Sequence, residues 1–405
     1  MSEKLAEVYE QYDMEILSSQ KGRGATILNT TDGLRILEPF RGNITRLEQE
    51  YVLKCLLLSH DCNNVDAIIK NEDGQLLSYD KYRQPYVMRV HFEGRECDMH
   101  EKEDIVRSIH TLAKFHICGK NVASEFGMEW KKHLEEKEEH RIEEIKHAIE
   151  NGEELEKLAS LYEISESALN RILNTENKDE KILPDSKSKS DKKNGSEVTG
   201  NGTERLFIRH TREIKKIYKF IRNVKKKNEF EKIYLKVYSS FYQKALQCLE
   251  LLSSMPCNKR DETNDCINSH FGICHGCFNQ HNIILGEQID AIVHFEKFSR
   301  GNQLLDLYQF ARKVMEKNHF DREYLDLIFN GYQDYIPMSE ADFQYIYILF
   351  SYPEKFWKIA NSYYNTNKAF LSPKYIEKLQ TVILQEEEKQ EMLKGLKKNL
   401  SFSSN

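Results

Sequence analysis

The stretch GICHGCFNQHNIIL, Gly272 to Leu285, is the most informative part of this 405-residue chain. It predicts a loop followed by a short strand, because polar residues and a glycine precede the apolar run that ends it. Within the loop, His275, Cys277 and Asn282 carry side chains that can take part in chemistry. The regions on either side indicate what kind of fold presents this loop.

The N-terminal part of the chain predicts a small sheet-rich lobe. Two β-type runs meet at Asp32-Gly33, and two more follow a helical pattern at 47–58, the first of them turning at Asp73-Gly74. Asp-Gly is a preferred dipeptide of tight hairpin turns. The order strand, strand, helix, strand, strand, followed by the polar connector EGRECD, predicts an N-terminal lobe and hinge over residues 1–97.

The rest of the chain predicts a larger, mostly helical lobe over residues 98–397. Helical spacing of apolar residues recurs at 101–118, at 209–254 and again after the opening stretch. The last helix, at 372–397, is interpreted either as a capping helix or as a surface for partners. A small mixed lobe, a hinge and a large helical lobe together predict a two-lobed α+β fold.

An insertion at about 134–204 interrupts the helical lobe. Its second part, 176–204, is polar and charged and nearly lacks aromatic residues, so it cannot bury enough apolar surface to offset the entropy of ordering. We therefore predict disorder there. Its first part, 150–175, has the spacing of a helical hairpin. The pattern resembles a DNA-binding helix-turn-helix and the helical core of a LysM cell-wall module, but we prefer a plain helical hairpin to either of them.

Composition excludes several function classes. The formal net charge of -6 argues against general nucleic-acid binding, which favours a basic surface. No apolar run approaches the roughly 18 residues of a membrane-spanning helix, so we expect no membrane span. The first 17 residues are charged and amphipathic, and we expect no signal peptide. Nine cysteines in mostly apolar or helical contexts are typical of reduced thiols, so we expect synthesis in the cytosol.

A family resemblance rests on the loop and on the segment after it, IDAIVHFEKFSRGNQLLDLYQFARKVMEK. Together they resemble the aminoglycoside and choline kinase-like superfamily. Within it, the chain most closely resembles the CotS-type spore coat proteins of endospore-forming bacteria, through KGRGATILNTTDGLRILEPFRGNITRLEQEY, FEGRECD and RHTREIKKIYKFIR. The resemblance covers nearly the whole chain apart from the insertion and the extreme ends. It implies a protein kinase-like fold and, as cofactors of such a fold, ATP and Mg²⁺.

The resemblance also assigns roles to loop residues. His275 matches the loop histidine and Asn282 the metal-binding asparagine, but Cys277 stands where the catalytic aspartate belongs and His294 where the metal-binding aspartate belongs. A thiol with a pKa near 8.5 is a poor base at neutral pH. Mg²⁺ prefers oxygen ligands, so imidazole suits it badly. Glu296, two residues on, is a further candidate metal ligand.

In the N-terminal lobe the resemblance places Arg35 at the position of the phosphate-pairing lysine, with Glu48 or Glu50 as its helix partner. Arginine keeps the charge, but its longer, forked side chain is not equivalent to lysine. Asp306, in LLDLYQF, is interpreted as a helix cap or a brace of the loop and not as a catalyst.

The cysteines near the loop raise a separate hypothesis of a redox or metal site. Cys274 and Cys277 form a C-x-x-C pair, and a zinc site can be imagined with Cys257, Cys266 and His270. These spacings match no standard zinc module. The pair also precedes a strand, whereas a helix N-terminus is what lowers a thiol pKa. The pattern favours ordinary thiols.

The sequence is compatible with three functions. The preferred one is a spore coat or coat-assembly protein, made in the mother cell, that binds other coat proteins through a kinase-like fold with defective catalytic residues. The second is an ATP-dependent phosphotransferase acting on a small molecule or a coat protein. The third is a regulator that binds DNA or cell wall through residues 150–175. The sequence does not decide whether the protein is an enzyme, and we favour the hypothesis that it is not.

Overall fold

The computed structural model describes most of the chain, namely residues 5–22, 24–151, 157, 201–255, 270–365, 373–398 and 400. The chain divides into two compact units, Met1–Ala123 with Val198–Asn405 and Ser124–Glu197. The first unit carries the N-terminal sheet, the opening loop and most of the helices.

Only the edges of the predicted insertion fall within the described residues. The helix Lys102–Glu150 runs into it, and the helix Asn201–Asn223 begins inside its last four residues, so the predicted disorder does not extend through 201–204. The predicted hairpin at 150–175, apart from residues 150, 151 and 157, and the segment 176–200 lie outside the described residues.

The N-terminal region is built around an antiparallel sheet. Its elements are α1 (Ala6–Tyr9), β1 (Ile16–Lys21), β2 (Thr26–Thr30), β3 (Gly33–Pro39), α2 (Ile44–Ser59), β4 (Ile68–Ile69), β5 (Ser78–Tyr79) and β6 (Pro85–Val90). The strands are ordered β1-β2-β3-β6-β4, and β5 also pairs with β6. The predicted hairpin at Asp32-Gly33 is confirmed, and Gly33 has a φ of 103°, which a glycine adopts without strain.

The two faces of this sheet pack against different helices. Side chains alternate between the faces along each strand. Leu28, Leu37 and Met88 face a cluster formed with Val8, Tyr9 and Tyr12 from α1 and the residues after it. Val87 packs with Leu47 of α2 on the other face. This division decides which charged side chains of the sheet can meet α2.

The C-terminal region combines short strands with long helices. The strands are β7 (Arg95–Glu96), β8 (Phe271–Cys274), β9 (Ile283–Leu285), β10 (Asp290–Ile292) and β11 (Ser299–Asn302). One sheet has the order β10-β9-β7, and β11 pairs with β8. The helices are α3 (Lys102–Glu150), α4 (Asn201–Asn223), α5 (Glu229–Ser254), α6 (Leu304–Lys317), α7 (Arg322–Gln333), α8 (Glu340–Ser351), α9 (Glu354–Asn365) and α10 (Lys374–Lys397).

An aromatic and aliphatic core joins α4, α5, α9 and α10. Its buried members include Ile217, Tyr234, Phe356, Leu379 and Val382. The last helix is therefore an integral part of this core. Among the described helices, none combines the length and apolar character needed to cross a bilayer. A β-rich N-terminal region and a helical C-terminal region confirm the predicted α+β class.

Candidate functional site

His275 is a buried brace at the centre of the loop between β8 and β9. Its Nδ1 accepts a hydrogen bond from the Cys277 backbone N–H at 3.2 Å, so Nε2 carries the proton and donates to the Val293 carbonyl at 3.0 Å. The ring lies against Phe295 with a centroid distance of 4.7 Å. Burial lowers the pKa of His275, which keeps the imidazole neutral. It therefore holds the loop to the segment after β10.

Asp306, in the first turn of α6, holds the backbone of the same loop. Its carboxylate accepts hydrogen bonds from the N–H groups of His275 at 2.6 Å and Gly276 at 2.9 Å. The side chain is 1% exposed and lies 3.5 Å from Nε2 of His116. Gly276 has a φ of 75°, and a Cβ there would lie 2.1 Å from the Lys297 carbonyl oxygen. The prediction that Asp306 braces the loop is confirmed.

Two asparagines fix the backbone at Cys277. The Nδ2 groups of Asn279 and Asn282 donate to the Cys277 carbonyl at 2.7 and 2.9 Å. Asn279 also donates to the Cys277 sulfur at 3.5 Å and accepts from the His281 N–H at 3.1 Å. Asn282, which was expected to bind a metal ion, thus holds the backbone of the loop, and it is 9% exposed. The partly exposed thiol of Cys277 occupies a rigid position in the loop.

His294 and Glu296, the two other candidate metal ligands, pair with each other. Nδ1 of His294 lies 3.5 Å from Oε1 of Glu296, and this contact raises the pKa of the imidazole. Burial alone would raise the pKa of Glu296. The hydrogen bond from His294 and the nearby charge of Arg89 outweigh burial and lower that pKa to about 2. The carboxylate is therefore ionised at neutral pH and lies against the imidazole of His294.

Arg35 lies away from the α2 glutamates that were expected to pair with it. It stands opposite Val90 in the ladder between β3 and β6, on the sheet face that α1 covers, because Ile36 takes the position facing α2. Its guanidinium donates to the carbonyls of Leu34 at 3.0 Å and Asp32 at 2.8 Å. The structure thus separates Arg35 from the helix that carries Glu48 and Glu50.

The charged side chains that do meet beneath α2 form a buried network of Glu50, Lys54, Asp66 and Arg89. Lys54 Nζ lies 2.5 Å from Glu50 Oε1 and 2.7 Å from Asp66 Oδ1. Arg89 contacts Glu50 and lies 3.8 Å from Asp66. None of the four side chains is more than 3% exposed. Two cations and two carboxylates compensate each other, as buried charges require.

Of these four residues, only Glu50 was predicted from the sequence. Two patterns in the sequence could have identified Lys54 and Arg89. Glu50 and Lys54 are four apart in an otherwise apolar helical run, the spacing of an intrahelical ion pair. Arg89 lies two residues from Val87 in β6, so both side chains point to the α2 face. Asp66 lies between α2 and β4 and gave no signal in the sequence. The backbone N–H of His294 donates to Asp66 at 3.1 Å, which joins the network to the loop region.

Two of the side chains at this site suit a magnesium ion poorly. Cys277 offers a thiol and His294 an imidazole, whereas Mg²⁺ prefers oxygen ligands. In the described part of the chain, no group of three or more His, Cys, Asp or Glu is placed to hold a metal ion. Lys54 and Arg89, the two buried cations nearby, both contact the carboxylate of Glu50.

Cys274 and His270, two of the residues considered for a zinc site, lie in different surroundings. Cys274 is buried, and burial raises its pKa well above the ordinary thiol value. Nε2 of His270 lies 3.0 Å from a carboxylate oxygen of Asp342. Cys257 and Cys266 lie outside the described residues. The buried thiol of Cys274 agrees with the preference for an ordinary cysteine.

Comparison with known proteins shows the fold. An aminoglycoside phosphotransferase from Alicyclobacillus acidocaldarius subsp. acidocaldarius DSM 446 is similar with a TM-score of 0.66 at 13% identity, covering 96% of this chain and 94% of that one. A spectinomycin phosphotransferase solved with ADP and spectinomycin gives 0.47 at 9% identity over 96% and 95%. A choline kinase from Cryptosporidium parvum Iowa II gives 0.44 at 9% identity over 96% and 92%.

The first of these similarities confirms the predicted kinase-like fold and, at its low identity, shows the fold alone. No family model matches the sequence. No curated protein matches it either.

Proposed function

We propose that this chain is a CotS-type component of the endospore coat, or of the machinery that assembles it, and that its kinase-like fold has lost phosphoryl transfer. The observation that carries the loss of catalysis is the pair Cys277 and His294, which stand at the two positions where the superfamily pattern has carboxylates. The resemblance of the surrounding sequence to CotS-type proteins supports the spore coat role.

The expected loss of rate follows from what the two carboxylates do. A general base typically contributes about 10²–10⁴ in rate. Phosphoryl transfer depends mainly on positioned positive charge, so a site poor in metal ligands loses the largest contribution as well. The hydrogen bonds of His275, Asn282 and Asp306 give these three side chains a structural role in holding the loop together.

A scaffold without chemistry acts through its surface and its partners. We therefore place the protein first in the mother-cell cytoplasm, where it is made, and then in the coat with other coat proteins. The charged faces of α4 and α5 support this use, since Lys215, Lys219 and Lys236 are exposed while Ile217 and Tyr234 on the same helices are buried in the core.

The test of catalysis uses the purified full chain with ATP, with and without Mg²⁺. We expect no ADP formation above the uncatalysed rate in a coupled assay. A matched variant, Asn282→Ala, separates true turnover from contamination. Magnesium-dependent phosphate transfer that disappears in Asn282→Ala would show the second hypothesis, an active phosphotransferase, to be correct.

The test of the coat role uses spores that carry the same Asn282→Ala variant. A scaffold needs its fold and not its loop chemistry, so we expect normal incorporation and a normal coat. A deletion strain supplies the comparison, and immunoblotting checks abundance. If the variant were as abundant as the wild type yet gave the coat defect of the deletion strain, the scaffold proposal would be wrong.

A further inference from the structure

Two cysteines from distant parts of the sequence lie against each other outside the loop. Cys62 lies just after α2, where its backbone N–H donates to the Leu57 carbonyl at 2.9 Å, and Cys118 lies in α3. Cys118 Sγ lies 3.9 Å from the carbonyl oxygen of His60, two residues before Cys62, and each thiol shifts the pKa of the other. Both are free cysteines and both side chains are buried. The fold thus brings together two thiols that the sequence alone does not connect.

Polar groups around the two sulfur atoms keep them in place. Cys62 Sγ lies 3.5 Å from Oδ1 of Asn64, and Cys118 Sγ lies 3.9 Å from the His60 carbonyl oxygen. Both partners belong to the segment 60–64. A disulfide needs two sulfur atoms that approach to about 2.05 Å, with a Cα–Cα distance of about 4.4–6.8 Å. The contact of Cys118 Sγ with the backbone two residues before Cys62 places both side chains at the same spot in the fold.

The two buried cysteines lie at the wall of an open cavity, which is the route by which a small reagent would reach them. Cys62 and Cys118 both line an open cavity of about 640 Å³, together with the polar side chains of Arg107, Lys114 and Asn121. The hydrogen bond from Cys62 lowers the pKa of Cys118 against the effect of burial, and the same hydrogen bond raises the pKa of Cys62. Cys118 is therefore the better nucleophile of the two, since the thiolate is the reactive form.

We propose that Cys62 and Cys118 form a reversible dithiol–disulfide pair that fastens the segment after α2 to α3. The oxidant is a low-molecular-weight disulfide. The Cys118 thiolate attacks one of its sulfur atoms, which forms a mixed disulfide and releases one small thiolate. Cys62 gives its proton to solvent and attacks the Cys118 sulfur, which releases the second small thiolate. Two protein thiols are oxidised and one small disulfide is reduced to two thiols.

The bond would hold a segment that supports the candidate site. The Ile292 N–H donates to the Asn64 carbonyl at 2.8 Å, and Asn64 Nδ2 donates to the Asp290 carbonyl at 2.9 Å. Asp66, two residues on, belongs to the buried charge network and accepts from the His294 N–H. Oxidation would therefore tie α3 to the segment on which the His294 turn rests. A cross-link also restricts the unfolded chain, so the thermal midpoint should rise.

The experiment treats the full chain with oxidised glutathione, blocks the remaining thiols with iodoacetamide under denaturing conditions and identifies tryptic peptides by mass spectrometry. Cys62 shares the peptide 55–70 with the exposed Cys55, so a Cys55→Ser background removes the ambiguity. The expected product links peptide 55–70 to peptide 115–120, and the midpoint rises by several degrees. Both effects should disappear in Cys118→Ser and persist in the control Cys248→Ser.

Mass spectrometry of the Cys55→Ser protein also keeps the test decisive if Cys118→Ser fails to fold. Cys62 and Cys118 both recovered with the alkylating group after oxidation would overturn the proposal. Recovery of either one only as a stable glutathione adduct would overturn it as well. Reduction with excess thiol should remove the cross-link and return the thermal midpoint to its starting value.

Discussion

Lys54 of α2 and Asp66 of the following segment form an ion pair, with Nζ 2.7 Å from Oδ1 and side chains only 1% and 3% exposed. Glu50 and Arg89 complete the network, so the charges cancel inside the N-terminal region. In the kinase pattern a lysine of this lobe pairs with nucleotide phosphates and with a glutamate of the neighbouring helix. Here two buried cations, Lys54 and Arg89, contact the helix glutamate Glu50.

Replacing Lys54 by methionine should strongly destabilise the fold. The change leaves two buried carboxylates with one cation, and breaking a buried pair in this way typically costs about 3–5 kcal/mol. Urea unfolding followed by circular dichroism measures the free energy of unfolding. The matched control is Lys131→Met, which removes another Lys–Glu pair at a spacing of four residues. Lys131 and Glu135 are exposed, so we expect at most about 0.5 kcal/mol. Equal effects of the two variants would contradict the network's role.

The sequence predicted the parts of the fold that depend on local signals. The turn at Asp32-Gly33 and the bracing role of Asp306 follow from residue type and position, and both are confirmed. The partner of the α2 glutamates could not be assigned by resemblance alone. A shift of one residue along a strand moves a side chain to the other face. Arg35 therefore faces α1, and the cation that meets Glu50 comes from Arg89 on the neighbouring strand.

Other features depend on contacts between distant segments, which spacing does not encode. Asp66 meets Lys54 and the His294 backbone because the segment after α2 runs beside β10, where Val65 and Ile292 form an isolated parallel bridge. The contact between Cys62 and α3 arises in the same way. Such pairings are specified by the packing of the whole unit, so they become visible only in three dimensions.

Asp306→Asn should loosen the loop. The amide has one acceptor oxygen in place of two and presents N–H donors to the backbone donors of His275 and Gly276. Leaving a buried donor without an acceptor costs about 1–3 kcal/mol. Hydrogen exchange of those two amides should accelerate, and stability should fall by a similar amount. Asp321→Asn is the control, since it caps α7 and asparagine is as good a cap. Unchanged exchange in Asp306→Asn would contradict the bracing role.

The double variant Cys277→Asp with His294→Asp should gain affinity for magnesium–ATP. It restores carboxylates at both superfamily positions, and aspartate tolerates the positive φ of 67° at residue 294. Isothermal titration with and without Mg²⁺ measures the gain, which we expect to be at least tenfold. The control places the same residues at exposed positions, Cys55→Asp with His319→Asp, where φ of residue 319 is 52°. Equal binding by the two proteins would show that the site is altered in other ways.

The stability of the protein should fall between neutral pH and pH 4, in part because of His210. Burial, together with the charge of Arg209, lowers the pKa of this histidine from 6.5 to about 4, and its ring stacks on Trp357. The unfolded chain therefore binds a proton at higher pH than the folded one, so stability is lost as pH falls from about 6.5 towards 4. The free energy of unfolding of His210→Gln should therefore change less with pH than that of the wild type, by up to about 3 kcal/mol over this range. If the stability of His210→Gln depended on pH as strongly as that of the wild type, the assignment to His210 would be contradicted. The control is His319→Gln, because His319 is exposed.

The last helix should be needed for folding and not only for partner binding. Leu379 of α10 is fully buried in the core shared with α4, α5 and α9, whereas Leu384 on the same helix is 77% exposed. Leu379→Ala should cost about 2–5 kcal/mol, and Leu384→Ala should change stability by less than about 0.5 kcal/mol. Urea unfolding measures both. A docking role for the exposed face predicts that Leu384→Lys folds normally yet fails to localise to the spore coat. Loss of localisation in Leu379→Ala alone, with reduced abundance, would instead mean that α10 serves only the core.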